Sequence, residues 1–386
     1  MTFPFRHSLI GSALAGAALF AMPAAASTVR WNMTPGVTEI SRAVYDLHML
    51  IFWICVAIGV VVFGAMLISI VLHRKSRGVT PATFHESTKL EIVWTLIPLG
   101  ILIGMAVPAT NVLVQMYDTG GEDMVVEVRG YQWRWEYKYL DDDLNERLSF
   151  FSNLSTPRDQ ILGQAEKGEH YLLEVDNPLV IPINRKVRFL LTSNDVIHAW
   201  WVPDFALKRD AIPGFINDIW TIVDEPGIYR GQCAELCGID HGFMPIVVHA
   251  LPEDEFDAWY AEQLELARAD GERLEEEIAH EWSGEELFAR GEGVYATHCV
   301  GCHQADGQGV PPAFPALAGS ALVTGDLEAH MDVVYHGRPG TAMQAFGPVL
   351  DPVDMASVIH FQRKAFGHAN GELVEPIDVI RFAETQ

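Results

Sequence analysis

Positive charge is scarce in this sequence. Its 386 residues include 26 Lys and Arg against 51 Asp and Glu, a formal net charge of −25. Binding to nucleic acid needs a basic footprint that neutralises phosphates, so that class of partner is excluded. Acidity of this size suits a basic protein partner or a high-salt habitat. Cysteine is scarce too, with only Cys55, Cys233, Cys237, Cys299 and Cys302. Four of these fall in two close pairs, which points to metal or cofactor chemistry, or to short disulfides, ahead of a dispersed disulfide framework.

Charge of either sign is missing from two long runs, Leu47–Leu72 and Ile92–Leu113. Each is long enough to cross a bilayer, and membrane helices tolerate Pro98 and Pro108 in the second. Segregation explains how 49% hydrophobic content coexists with such acidity: residues 1–113 hold seven basic and four acidic side chains, whereas 253–283 hold two and twelve. Between the runs lies His73-Arg74-Lys75-Ser76-Arg77, with Lys89 further on. Basic loops stay cytoplasmic, so both ends of this hairpin, and everything after about residue 114, are expected on the periplasmic or extracellular side. Residues 1–26 read as a signal peptide, with Arg6, an apolar stretch from Leu9 to Met22, and Ala24-Ala25-Ala26 as a cleavage site. A signal peptide implies the same orientation.

The expected organisation follows from these breaks. Residues 27–113 form a transmembrane hairpin with spans near 47–72 and 92–113. From 114 to 252, short β-rich runs (Met124–Val128, Trp133–Tyr139, Lys186–Thr192, Ile219–Val223, Phe243–His249) are separated by Gly, Pro, Asn and Asp, the pattern of an antiparallel sandwich or barrel. Residues 253–283 predict an acidic helical linker. Residues 284–386 show helical periodicity around a Gly/Pro-rich loop.

Cys233-Ala234-Glu235-Leu236-Cys237 runs on through His241 to Met244, so two thiolates, an imidazole and a thioether fall within twelve residues. His198 lies 35 residues upstream in Ile197-His198-Ala199-Trp200-Trp201. Soft sulfur with imidazole is a ligand set that copper prefers, and two cysteines are enough to bridge two ions. A Cys233–Cys237 disulfide and a structural Cys₂His₂ zinc site are the competing readings. Neither of these accounts for Met244.

The Cys-x-Glu-x-Cys-x-x-x-His-x-x-Met pattern resembles the CuA loop of cytochrome oxidase subunit II, and the resemblance extends from about residue 35 to 252. It implies a cupredoxin fold for 114–252, with Cys233 and Cys237 as bridging thiolates and His198 and His241 as terminal imidazoles. Met244 is then a weak ligand and the Glu235 carbonyl another, while the Glu235 carboxylate reaches a magnesium shared with subunit I. Gly130-Tyr131-Gln132-Trp133-Arg134-Trp135 is similar to the family's aromatic segment, in which Trp133 admits electrons. Here Tyr131 and Arg134 replace the usual His and Tyr. Glu91-Ile92-Val93-Trp94 resembles the start of the family's second helix, with Glu91 at the entrance of a proton channel into subunit I. A glutamate at a helix end also snorkels into headgroups without any such role.

Cys299-Val300-Gly301-Cys302-His303 is a c-type haem attachment motif. Two thiols at this spacing form thioethers, and the adjacent His303 ligates iron. A methionine is the expected sixth ligand, because thioether ligation raises the potential. Met331 and Met355 lie in helix-like stretches, where methionine is ordinarily core. Met343 sits in Gly337-Arg338-Pro339-Gly340-Thr341-Ala342-Met343, which is similar to the axial loop of small bacterial cytochromes c, and is the residue chosen.

The expected molecule is therefore a multidomain membrane protein: a two-helix hairpin, a cupredoxin-like β-sandwich and an all-α cytochrome c domain. The resemblance implies electron entry from haem c to binuclear copper, and onward to a separate subunit I that reduces dioxygen and pumps protons. Partners are subunit I, subunit III and an external donor such as a cytochrome c, in a bacterial inner membrane. The rivals are the CuA-bearing subunit of a nitric-oxide reductase and a membrane-tethered carrier with no catalytic partner. Quinol oxidase subunits lack the copper cysteines, and a soluble nitrous-oxide reductase lacks the hairpin.

Overall fold

The computed structural model describes residues 32–80, 83, 85–338, 341–367 and 373–385, so the signal peptide expected over 1–26 lies outside the described residues. The chain divides into two units, Met1–Val112 and Leu113–Gln386.

In the first unit, α1 (Glu39–Leu72) begins eight residues ahead of the uncharged run. Its start is set by a capping box in which Thr38 accepts from the Ser41 N–H and the Ser41 hydroxyl accepts from Thr38 N–H, satisfying donors that a bare helix end leaves open. A short 3₁₀ turn, Lys75–Arg77, ends at Gly78, whose φ of 66° suits glycine. Helix α2 (Thr88–Met116) runs through Pro98 and Pro108. Both helices are long and apolar enough to cross a membrane, with mean hydropathies of 2.9 and 2.1 over an 18-residue stretch of each. Val61 is 71% exposed and Trp53 60%, a surface that water would not tolerate and that lipid or other protein must cover.

The second unit opens with ten strands in two five-stranded sheets. These are β1 (Met124–Tyr131), β2 (Arg134–Leu140), β3 (Glu146–Ser152), β4 (Leu179–Pro182), β5 (Val187–Ser193), β6 (His198–Val202), β7 (Leu207–Ala211), β8 (Asn217–Thr221), β9 (Gly227–Cys233) and β10 (Pro245–Leu251). One sheet has the order β3-β2-β1-β5-β8 and the other β4-β10-β9-β6-β7. Each is mixed, since β1 pairs parallel with β5 and β4 parallel with β10. Alternating side chains of the two inner faces make the core. Trp135, Tyr137, Phe189 and Trp200 are fully buried there, and each contributes about 1.5–3 kcal/mol by leaving water. Tyr139 ties the sheets together: its hydroxyl donates to the Val180 carbonyl at 2.8 Å and accepts from the Val180 N–H at 3.1 Å.

Helix α3 (Glu253–Ala279) is the acidic connector. Its first turns lie against the sandwich through Phe256, Trp259 and Tyr260, with both Trp259 and Tyr260 rings 5.7 Å from Tyr139. Beyond it come α4 (Gly284–His298), the single turn α5 (Val300–His303), α6 (Ala321–Thr324), α7 (Leu327–His336), α8 (Pro352–Phe366) and α9 (Pro376–Glu384). Helices α4 and α8 cross at Gly291, where a Cβ would stand 2.0 Å from the Ser357 carbonyl oxygen, so only glycine permits the approach. Arg290 joins three elements, reaching Glu277 of α3 at 2.8 Å, Asp354 of α8 at 2.6 Å and its cap Asp351 at 3.8 Å.

Candidate redox sites

The first site forms where β6, β9 and the loop after β9 meet. His198 opens β6 and is fully buried; Cys233 closes β9 across the sheet. The loop then returns Cys237, His241 and Met244. Cys237 Sγ lies 3.9 Å from Cys233 Sγ, 3.4 Å from His241 Nδ1 and 3.5 Å from Met244 Sδ. Cys233 Sγ lies 3.8 Å from His198 Nδ1 and 3.4 Å from the Glu235 carbonyl oxygen. A disulfide needs its sulfurs about 2.0 Å apart, and all five cysteines are free. Six donor atoms thus converge from residues that the sequence pattern had singled out. The mix of two thiols, two imidazoles and a thioether suits copper better than a hard cation.

Surrounding groups fix the donors. His198 Nε2 is 2.9 Å from Asp195 Oδ1, which holds the proton on Nε2 and turns the Nδ1 lone pair toward sulfur. Trp135 meets the His198 ring edge-on at 5.9 Å, and a Cβ on Gly130 would stand 2.7 Å from it. Burial alone would depress the His198 pKa, but the bonds to Asp195 and Cys233 raise it. The paired cysteines diverge. The hydrogen bond from Cys237 favours the Cys233 thiolate, and that neighbouring charge, together with burial, pushes the Cys237 thiol up. One negative charge is comfortable in the pocket; a second calls for a cation.

The aromatic segment is fastened to this loop. Gln132 Nε2 donates to the Cys237 carbonyl at 2.7 Å and Trp133 Nε1 donates to the same oxygen at 3.3 Å. Asp195 Oδ2 accepts from the Gln132 N–H at 2.7 Å. Asp195, Gln132 and Gly130 were not singled out as supports by sequence; the proximity of Asp195 to His198 in the chain was the available signal.

The second site is the α4–α5 corner. Cys299 caps α4 and is buried, and Cys302 and His303 follow within one turn, half-buried. Burial raises the Cys299 thiol to about 12. His303 Nδ1 donates to the Pro315 carbonyl at 3.0 Å, which leaves the Nε2 lone pair available to a ligand. Met343 packs against the apolar cluster that includes Cys299, whereas Met331 and Met355 are buried within it. The Met343 loop is held by the Arg338 N–H on the Met343 carbonyl at 2.8 Å. Gly337 permits this, since a Cβ there would lie 2.5 Å from that oxygen and its φ is 70°. Two free thiols and an imidazole at the α4–α5 corner, with the Met343 thioether packed on the cluster that holds Cys299, fit a covalently attached haem.

Two further positions bear on the sites. The His298 ring, one residue before Cys299, is made less basic by burial and by the guanidinium of Arg134, which brings the sandwich's aromatic segment near the second site. Glu91 lies in the first turn of α2 beside a shallow cavity lined by Thr88, Ile92, Thr95 and Leu96. It is exposed.

Known proteins resemble each part. The family model for the cytochrome c oxidase subunit II periplasmic domain matches residues 124–251, and that for its transmembrane domain matches 26–112. The model for cytochrome c oxidase, cbb3-type, subunit III matches 286–361. A probable cytochrome c oxidase subunit 2 of Rickettsia prowazekii is 38% identical over 239 residues, covering 61% of this chain and 74% of that protein. That of Rickettsia bellii is 37% identical over 268 residues, covering 69% and 94%. Among solved structures, the periplasmic domain of subunit II of cytochrome oxidase from Bradyrhizobium japonicum is 36% identical, covering 39% of this chain and 98% of that one with a TM-score of 0.33.

Proposed function

Because the chain belongs to the cytochrome c oxidase subunit II family and carries a cytochrome c-type domain after it, we propose that it is the electron-entry subunit of a proton-pumping terminal oxidase, passing electrons from haem c to a binuclear copper centre and on to a subunit I that reduces dioxygen to water. The observation that carries this reading is the convergence of three donor side chains, His198, His241 and Met244, and the Glu235 carbonyl on the Cys233–Cys237 pair.

The bound groups supply reversible one-electron chemistry. The protein's part is to hold them still in a dry site. Cys233 and Cys237 would supply the shared thiolates of a binuclear copper centre, His198 and His241 its imidazole ligands, and Met244 with the Glu235 carbonyl the weaker ones. The Glu235 carboxylate would be this chain's ligand to a magnesium shared with subunit I. Cys299 and Cys302 would anchor the haem through thioethers, and His303 and Met343 would be its iron ligands. Trp133, bonded to the Cys237 carbonyl, is the electron-entry group, and Glu91 stands at a proton channel entrance.

Leu236 and Ile239, flanking Cys237, are 89% and 86% exposed, which supports a docked partner over a free-standing carrier. The partners on this reading are subunits I and III and an external cytochrome c. The chain sits in a bacterial inner membrane with the copper and haem domains on the periplasmic side. Purifying the complex and following dioxygen and nitric oxide consumption tests the reading. Dioxygen reduction is expected; turnover of nitric oxide alone would assign the subunit to a nitric-oxide reductase, and turnover of neither would leave an electron carrier.

A further inference from the structure

The cytochrome c domain buries a polar pair, His330 and Gln362, beside the thiol of Cys299. His330 of α7 is 1% exposed and Gln362 of α8 is 4% exposed. His330 Nε2 lies 2.9 Å from Gln362 Oε1, and Gln362 Nε2 points at Cys299 Sγ from 3.9 Å. Around them, Met331, Met355, Ile359 and Cys299 belong to one cluster of buried residues. The buried His330 Nδ1 has no hydrogen-bond partner. Amides buried without need are disfavoured, so a glutamine aimed at a haem-bearing sulfur calls for an explanation.

Chemistry fixes how this pair is oriented. Once Cys299 has become a thioether, its sulfur carries no proton and accepts only weakly. The amide must then turn its N–H toward sulfur, because its oxygen would face lone pairs. Oε1 is left facing His330, which must carry its proton on Nε2. Burial keeps that imidazole neutral, holding its pKa down at about 4. The pair is thus a single dipole with its positive end at the haem edge, in a low-dielectric core where such a field is strongly felt.

We propose that Gln362, held in orientation by the positioning residue His330, tunes the haem: its amide N–H on the Cys299 sulfur disfavours the extra positive charge of oxidised iron and so raises the reduction potential. Hydrogen bonding to groups attached to a haem is one of the means by which proteins set its potential. The inference rests on the reading of Cys299 as a haem thioether.

The test uses the full-length chain in detergent, with covalent haem measured on the denatured protein and the midpoint potential by redox titration. Gln362→Met keeps length and apolar contact while deleting the N–H, and Gln362→Leu is a second form of the same deletion. Both should retain haem and its spectrum yet have a lower potential. His330→Leu should lower it by less, because a freed amide keeps its N–H but loses its aim. In the double variant with Gln362→Met, the His330 substitution should add nothing, since its effect passes through the amide. Unchanged potentials in both Gln362 variants would overturn the proposal, as would a His330 effect that persists without the amide. Absence of covalent haem from the unaltered chain would instead overturn the haem reading itself.

Discussion

Asp195 and His198 are joined through Asp195 Oδ1 and His198 Nε2 at 2.9 Å, while the other oxygen of the same carboxylate accepts from the Gln132 backbone at 2.7 Å. One carboxylate therefore orients the His198 imidazole toward the Cys233 sulfur and anchors the aromatic segment beside it. Removing such a support leaves the donor present but unaimed. Asp195→Ala is expected to lower copper affinity by about 10–100-fold, as outer partners of metal-bound histidines commonly do. Competition with a copper chelator measures it, and unchanged retention would reject the role.

The sulfur pair gives a stricter expectation. The full-length protein should bind two coppers in this site, with one unpaired electron shared over both nuclei in the partly reduced form. Cys233→Ser and Cys237→Ser should each abolish that sharing, because a hydroxyl does not replace a bridging thiolate. Metal analysis with paramagnetic resonance decides. One copper per site, or a Cys233–Cys237 disulfide in metallated protein, would sink the binuclear reading.

Acid should loosen the cytochrome c domain through His330. Its folded pKa lies near 4, below the ordinary 6.5, because burial disfavours the charged ring. Between those values the unfolded chain binds the extra proton and the folded chain does not, so stability rises with pH across the window and is lost as pH falls from 6.5 to 4. The size is up to about 3 kcal/mol. His330→Gln should flatten this dependence, as read from thermal unfolding followed at several pH values.

Electron entry through Trp133 should tolerate salt. Residues 114–252 carry 22 acidic and 12 basic side chains, a net of −10, and residues 284–386 carry 13 and 5, a net of −8. Like charges do not draw the two domains together, and screening weakens their repulsion. After rapid reduction of the haem, copper reduction should be no slower at high salt and should slow in Trp133→Phe with both centres intact. A rate that collapses with salt, or one indifferent to the substitution, would point to another route.

What the sequence disclosed depended on how far apart cooperating residues lie. Cys233 to Met244 and Cys299 to His303 are compact strings whose chemistry can be read in order. Their supports are not. Gln132 and Cys237 are separated by 105 positions, Gln362 and Cys299 by 63, and His330 and Gln362 by 32. Only sheet register and helix crossing bring them together. The strands showed the same limit. Strand β6 carries His198 and β9 carries Cys233, yet neither was among the expected runs, because β6 is buried on both faces and shows no alternation, while β9 is short of apolar residues and interrupted by Gly231. Helix α1 began earlier than hydropathy suggested because the Thr38 cap, not the apolar run, sets its start.

The connector helix changes what a tether means here. Twenty-seven residues of α3 span roughly 40 Å as a rod. Phe256 and its neighbours pin one end to the sandwich, and Glu277 is gripped by Arg290 at the other. A domain hung on loose chain must find its docking pose by rotational search before each electron moves. Here that search is already over when the chain has folded. On the proposed route, delivery between the two sites would then be limited by how often an outside donor arrives, and a flexible break such as a glycine run in mid-helix would bring the search back.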